Sequence, residues 1–242
     1  MELKAGYKNT EVGVIPEDWE VQKQKNIVKY INGRAYSIHE WETSGIPVVR
    51  LQNLTNRGCN FYYSNFNLPE YQYMNKGDLI FMWSASFGPY IWWGSKAIFH
   101  YHIWKIEGRK EKVDKTFYYY KLVEITETLK KGTSGSTMLH LTKGYMEEYL
   151  VSLPPLPEQT AIATVLSDTD SLIQTLEKKI AKKQLIKKGA MQKLLSPKEG
   201  WEESILPKVC WFKEGPGLRN WQFTKKGMKV INVTNLVNGY LT

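Results

Sequence analysis

Apolar residues recur at three- and four-residue steps through Ile162, Leu166, Ile173, Leu176 and Ile180. They lie inside a stretch, Leu153 to Leu195, that holds one glycine, Gly189, and no proline beyond Pro157. This spacing marks one face of an α-helix, and the rigid Pro154-Pro155-x-Pro157 segment is a place where a helix begins. At about 1.5 Å per residue the predicted helix extends on the order of 55 Å, too far to lie against a single small domain. Its apolar stripe is therefore expected to seek another helix. The stripe fades at Lys182-Lys183-Gln184 and returns out of phase at Ile186, Ala190 and Leu194.

Upstream the pattern is that of strands. Ile46–Leu54 reads as a strand ending in Asn/Thr/Gly turn chemistry, and Lys76–Ala85 and Lys96–Ile106 are β-rich runs joined by the loop SFGPYIWWGS. Trp19–Tyr30 reads as a short packed segment and Lys115–Lys131 as a helix despite its three tyrosines. Gly132–Leu141 is expected to be a small-residue loop leading to a short strand. The predicted fold class is α+β, a strand-rich globule followed by one long helix.

Comparison of the chain with itself adds a partial repeat. Trp19-Glu20 returns as Trp201-Glu202, Gly33 as Gly215, and GIPVVRLQNLTN from Gly45 as GMKVINVTNLVN from Gly227, all offset by 182 residues. Asn53 and Asn56 recur in both copies and so read as strand-end turn residues. The expected division is a globule over 1–152, a spacer helix over 153–197 and the start of a second globule over 198–242. That start cannot bury Trp201, Ile205, Leu206, Trp211 and Phe212 by itself, and is expected to be mobile or docked.

Composition narrows the function. The net charge is +9, yet eight lysines and no acid lie between Lys178 and Lys198, leaving +1 for all other residues. That run reads first as a solvated helix face, with phosphate or partner contact as the alternative. No apolar run is long enough for a membrane span, no signal-peptide core opens the chain, and Cys59 and Cys210 have neither disulfide nor metal spacing, so a reduced, cytoplasmic protein without a membrane partner is expected.

The sequence offers no catalytic constellation. There is no Asn/Asp-Pro-Pro-aromatic site and no glycine-rich cofactor loop for methyl transfer, and GTSGST lacks the Gly-Lys-Ser/Thr ending of a phosphate loop. His100-x-His102 is weak metal spacing and reads as sheet packing, and Glu147-Glu148 and Asp168-Thr169-Asp170 read as surface charge; no metal ligand is assigned. What remains is binding chemistry: forked donors, amides and short hydroxyls on loops suit base edges in a DNA groove. The candidates are Arg50 and Gln52; Trp83, Ser84, Ser86 and Tyr90; and Thr133, Ser134, Ser136 and Thr137, although each segment could equally be a plain turn.

PPLPEQ from Pro154, the Ile162-Ala163 pair, the LSDTD step from Leu166 and the closing MQKLL from Met191 together resemble the spacer helix of specificity (S) subunits of type I restriction-modification systems. The resemblance covers 140–198, and VGVIPEDWEV from Val12 is similar to the start of a target-recognition domain in the same family. It implies a non-catalytic subunit that reads double-stranded DNA. S-adenosylmethionine would belong to methyltransferase (M) subunits, and ATP and Mg2+ to restriction (R) subunits held through M. Full-length relatives carry two recognition domains and two antiparallel spacer helices, so this chain resembles half of one. A homodimer pairing through Ile162, Leu166, Ile173, Leu176 and Ile180 is the expected arrangement, and it would read an inverted repeat. A stand-alone DNA-binding regulator and a coiled-coil protein scaffold are the alternatives.

Overall fold

The computed structural model describes residues 5–55, 60–84, 87–131, 141–224, 226–231, 236–237 and 240–241. The chain divides into two compact units within the long helix, between Lys182 and Lys183. The first begins with a hairpin of β1 (Tyr7–Thr10) and β2 (Gly13–Pro16), then β3 (Glu20–Lys23), β4 (Val28–Asn32) and β5 (Ile46–Val49). A one-turn helix α1 (Leu51–Leu54) leads to β6 (Tyr62–Ser64), β7 (Tyr73–Met74), β8 (Leu79–Met82), β9 (Gly88–Ile91), β10 (Ala97–Phe99) and β11 (Ile103–Gly108). Helices α2 (Lys115–Lys131) and α3 (Lys143–Glu148), strand β12 (Leu150–Leu153) and the long helix α4 (Leu156–Leu194) follow.

Two four-stranded sheets, ordered β6-β5-β10-β7 and β4-β11-β8-β9, stack face to face. Strand alternation assigns the side chains to layers. Leu79 and Phe81 of β8 face the helices with Trp104, Ile106 and Tyr30, while Ile80 and Met82 face the other sheet with Val49, Met74 and Phe99. All four residues of β8 are buried because both faces of its sheet are covered. A third cluster, Val48, Tyr73 and Ile98, closes the outer face of the first sheet against Tyr36 and Trp41.

Several boundaries differ from expectation for local reasons. The predicted strand Ile46–Leu54 stops at Val49, because the Asn53 side chain accepts from the Arg50 backbone N–H (2.9 Å) and turns the next residues into α1. The loop predicted between the two β-rich runs contains the edge strand β9, paired with β8 from Leu79↔Ile91 to Met82↔Gly88. Lys96–Ile106 is two strands in different sheets, joined by a turn over His100–His102. In α2, Asp114 caps the first turn, its carboxylate accepting from Phe117 N–H (2.8 Å). The tyrosines that weaken its helix propensity are occupied: Tyr118 in a buried network with Tyr30 and Gln24, Tyr119 against the core, and Tyr120 donating to Asp170 (2.8 Å). The short strand expected after Gly132 falls on 132–140, outside the described residues apart from Leu141.

The Pro-Glu-Gln step fixes where α4 leaves the globule. Gln159 is 1% exposed. Its Oε1 accepts from Asp114 N–H (2.9 Å), and its Nε2 donates to the carbonyls of Lys112 (3.0 Å) and Pro154 (2.8 Å). Next to it the Trp19 indole donates to Glu158 (3.0 Å). β12, whose end leads into the proline segment, is held by β3 in the register Leu150↔Lys23 to Leu153↔Glu20. At roughly 100° per residue, Gln159, Ala163, Ser167, Asp170 and Gln174 share the face turned to the globule. The stripe through Leu166, Ile173, Leu176 and Ile180 lies about a quarter-turn away and is exposed; Ile162, at its start, also packs against the globule's core.

The second unit holds the rest of α4, α5 (Leu206–Val209) and the hairpin of β13 (Leu236–Val237) and β14 (Tyr240–Leu241). Local geometry repeats at the offset of 182. The 3-10 turn Gln24–Asn26 matches the first residues of α5, and the 3-10 turn Ile38–Glu40 matches Asn220–Gln222. The bond Ser37 N–H to Glu40 (2.7 Å) matches Arg219 N–H to Gln222 (2.8 Å). Gly45 and Gly227 both hold positive φ, +119° and +135°. The packing does not repeat: Ile27, Tyr30 and Val48 are core residues, whereas Val209, Phe212 and Val230 are exposed, as are Trp201, Ile205, Leu206 and Trp211. Among the described residues no helix is long and apolar enough to cross a membrane and no metal-binding group of His, Cys, Asp or Glu occurs.

Candidate nucleic-acid interface

One end of the stacked sheets collects groups able to contact a base edge or a phosphate. β5 ends there at Val49, β10 at Phe99, β8 at Met82 and β4 at Asn32, while β11 begins there at Ile103. The next residues along the chain, Arg34, Arg50, Trp83 and the turn His100–His102, are thereby brought together. Gly33 allows the crossing: a Cβ at this position would come 2.3 Å from the His100 carbonyl oxygen and 2.4 Å from that of Phe99. The first turns of α4 are at the other end of β8 and β11, where Leu156, Pro157 and Thr160 share a groove with Leu79, Ile106 and Gly108.

The arginines at this end are mounted on aromatic rings. Arg34 sits between Tyr36 (4.3 Å) and Phe66 (4.6 Å), Tyr36 stacks on Trp41 (4.8 Å), Trp41 lies against Tyr62 (4.7 Å), and Arg50 covers the Tyr62 ring at 4.2 Å. Such contacts orient a guanidinium without cancelling its charge. Arg34 is also ion-paired with Glu40, whose carboxyl is held down at about 2, first by Arg34 and then by the Ser37 backbone N–H. Arg50 has no acidic partner among the described residues; its polar contact is the Asn60 carbonyl at 3.4 Å.

This end is also where hydrogen-bonding capacity goes unused. Five buried polar side-chain atoms lack a partner among the described residues, and four belong here: Arg34 Nη1, Tyr36 Oη, Arg50 Nε and His100 Nδ1. The Tyr36 hydroxyl lies beside Arg34 and favours its charge without meeting hydrogen-bond geometry. Leaving such groups unpaired costs about 1–3 kcal/mol each, so their concentration marks a surface suited to an incoming polar ligand. Burial lowers the His100 imidazole to about 4, helped by His102 and Arg50, so it is neutral near pH 7 and adds no repulsion to the guanidinium.

The sequence candidates separate on this geometry. Arg50 is central, with Gln52 exposed beside it on α1. Trp83 belongs to the same end: its indole N–H donates to the Tyr101 carbonyl (2.9 Å) and its ring lies 5.3 Å from His102 and 5.8 Å from Trp104. Ser84 is buried, 7% exposed. Tyr90 lies elsewhere, in the groove between β9, α2 and α4 with Tyr119 and Tyr120. Ser86, Thr133, Ser134, Ser136 and Thr137 lie outside the described residues. Arg34, Trp41, Tyr62 and His100 were not among the candidates. The available signal was the scarcity of arginine, five residues in a chain with 33 lysines and arginines, two of which meet here.

The surface-charge reading of the carboxylates fits what they contact: Glu148 bridges Lys23 (2.7 Å) and Lys25, which hold its carboxyl at about 2, and Asp170 accepts from Tyr120. His100 and His102 face each other at 5.5 Å across an aromatic turn.

Comparison with known proteins places the chain in a family. Residues 16–186 match the family model of the type I restriction modification DNA specificity domain. The MjaVIII type I restriction enzyme specificity subunit of Methanocaldococcus jannaschii is 28% identical over 240 residues, 92% of this chain and 56% of the relative. The EcoBI specificity subunit of Escherichia coli is 29% identical over 169 residues, 67% of this chain and 35% of the relative. The chain thus spans about half the length, or less, of these relatives. Among solved structures, a chain from a study of type I R-M complex assembly and conformational transition superposes with a TM-score of 0.59 (18% identity, 75% of this chain, 45% of that one). The HsdS subunit from Thermoanaerobacter tengcongensis gives 0.56 (16% identity, 72% and 42%), which at this identity shows a shared fold. With 16–186 inside the family model and the same α+β fold in the solved relatives, the chain belongs to the type I restriction-modification DNA specificity family.

Proposed function

We propose that this chain reads one half-site of a bipartite DNA target, residues 5–152 forming the recognition domain and α4 the spacer, and that it positions methyltransferase subunits there without catalysing a reaction itself. The observation that carries this reading is the arginine–aromatic end of the sheets, where Arg50 is oriented by Tyr62 and lacks an acidic partner. A guanidinium held in this way matches the O6 and N7 acceptors of guanine in the major groove. Methyl transfer from S-adenosylmethionine is the work of the M subunits, acting on an extruded adenine, and ATP and Mg2+ serve R subunits attached through M. The exposed stripe of α4 pairs two copies, so that the assembly reads an inverted repeat. The recurrence of turns and caps at an offset of 182 supports residues 198–242 as the start of a second recognition domain.

The test is co-expression with a type I methyltransferase subunit and mapping of methylated adenines across a genome. A discrete bipartite motif is expected, and Arg50→Ala should abolish or relax it at one or two base positions while leaving co-purification with M intact. Selective DNA binding without M would favour a regulator. No selective binding in either case would favour a scaffold.

A further inference from the structure

The exposed stripe of α4 carries information about how two copies align. Including Thr169, it reads Ile162, Leu166, Thr169, Ile173, Leu176, Ile180, successive steps of four, three, four, three and four residues, the spacing of coiled-coil core positions. Thr169 fits an apolar seam because its hydroxyl donates to the Val165 carbonyl of its own helix (2.8 Å), which leaves the methyl outward. The series of steps is the same in either direction. A second helix turned end for end therefore matches it residue for residue, with the twofold axis level with Ser171.

Resting on the pairing of two copies proposed above, we infer that α4 forms an antiparallel homodimer in this one register: Ile162 opposite Ile180 of the second copy, Leu166 opposite its Leu176, and Thr169 opposite its Ile173. Other registers preserve the alternation of core positions. A shift of the axis towards the base of the helix would set Gln159, buried in its own globule, opposite Leu176, and lysine disfavours the two nearest shifts the other way. A shift of the axis towards Leu176 puts Leu166 opposite Lys183. A further shift to the level of Lys178 puts Ile173 opposite Lys183 and Thr169 opposite Lys187. Each would sink ammonium groups into an apolar seam without a counter-charge. From Ile162 to Ile180 the chosen register keeps every lysine out of the seam.

Two features of the globule agree. Its docking face on α4, through Gln159, Ala163 and Asp170, is turned about a quarter-turn from the seam, so Leu166, Ile173, Leu176 and Ile180 stay exposed in a single copy. The groove around Pro154 and Pro155 at the base of α4 is net acidic, with Asp18, Glu20 and Glu111 against Lys112, and in this register Lys183 of the second copy, which continues the seam series beyond Ile180, comes level with Gln159 beside that base. Opposite charges are thus brought alongside each other at both ends of the pair. The register also sets the separation of the two helix bases. With about 15 residues from Leu156 to the axis it is roughly 45 Å, against roughly 66 Å for the most shifted alternative, a difference of about six base-pair steps in the span of the target.

The test is disulfide trapping in the full chain with Cys59 and Cys210 replaced by serine. Leu166→Cys/Leu176→Cys should give a covalent dimer under mild oxidation, while Leu166→Cys/Lys183→Cys and Ile173→Cys/Lys183→Cys should not; residues this far apart on one helix cannot bridge within a copy. Light scattering under reducing conditions verifies that each variant remains a dimer. Trapping through either Lys183→Cys pair but not through Leu166→Cys/Leu176→Cys overturns the register and leaves the dimer standing. A wild-type chain that is monomeric at micromolar concentration overturns both.

Discussion

Replacing Gln159 by alanine removes three hydrogen bonds at a site 1% exposed, leaving the Asp114 N–H and the Lys112 and Pro154 carbonyls without their partner. Each unsatisfied buried group costs about 1–3 kcal/mol. Lys112 is an exposed residue whose carbonyl can recover water, and the space vacated by the amide can admit water as well. The expected loss is therefore about 3 kcal/mol, at the lower end of the sum. With a urea slope of about 2 kcal/mol/M, the unfolding midpoint should fall by about 1.5 M, read from tryptophan fluorescence. Glu158→Gln is the control. Its partner, the Trp19 indole, is only part-buried, and an amide oxygen still accepts, so the cost should stay below about 1 kcal/mol. A midpoint shift below about 0.3 M for Gln159→Ala would show that the Pro-Glu-Gln step does not clamp the helix and that the globule holds α4 by apolar contact alone.

Leu166→Lys/Leu176→Lys should convert the proposed dimer to a monomer. The two leucines are 38% and 48% exposed in a single copy, and four of them leave the seam in a pair, removing about 4–6 kcal/mol and weakening association at least a thousandfold. Far-UV circular dichroism should not change, since neither side chain belongs to the core; an unchanged mass in solution would refute the pairing. The Glu148 carboxyl should titrate at about 2, because Lys23 and Lys25 stabilise its charged form. A carboxylate lowered in the folded state contributes stability above its ordinary range, lost as pH falls from about 4.5 towards 2. Carboxyl NMR titration should show this midpoint return to the ordinary range in Lys23→Met/Lys25→Met.

The long helix was legible because its two signals are local: a proline segment that stops the preceding strand, and a stripe whose spacing is set within the helix itself, with Ile162 alone of its residues packed against the globule's core. Strand β9 was not, because its Gly-Pro-Tyr-Ile sequence reads as turn chemistry and only pairing with β8 makes it a strand. The turn at His100–His102 was hidden for the opposite reason. Aromatic and β-branched residues run through it without a break, and the chain changes sheets where no glycine or proline marks the place. The candidate interface shows the same limit. Arg50 stood out by residue type, but its association with Arg34 and His100 depends on the parallel pairing of β5 with β10 and on the bridge between Arg34 and His100, contacts between residues up to 66 positions apart.

The charge of the chain can be understood from the faces of α4. Down to Gln174 one face is occupied by the globule, and the seam lies a quarter-turn from it. The first lysine of the basic run, Lys178, comes one turn after Gln174 on the same side of the helix; Lys178 and Lys182 point away from the seam, and Lys179 away from the globule face. Positive charge therefore accumulates where the helix has left its own globule. In the proposed pair this part lies beside the acidic base of the second copy, and Lys178, Lys179 and Lys182 stay off the seam. A surface of this kind does not read sequence, because lysine offers a mobile point charge rather than the forked donors of Arg50. In the proposed reading it would suit the phosphate backbone across the unread gap of a bipartite target, or an acidic patch of a methyltransferase subunit, with sequence selection left to the ends of the two sheets.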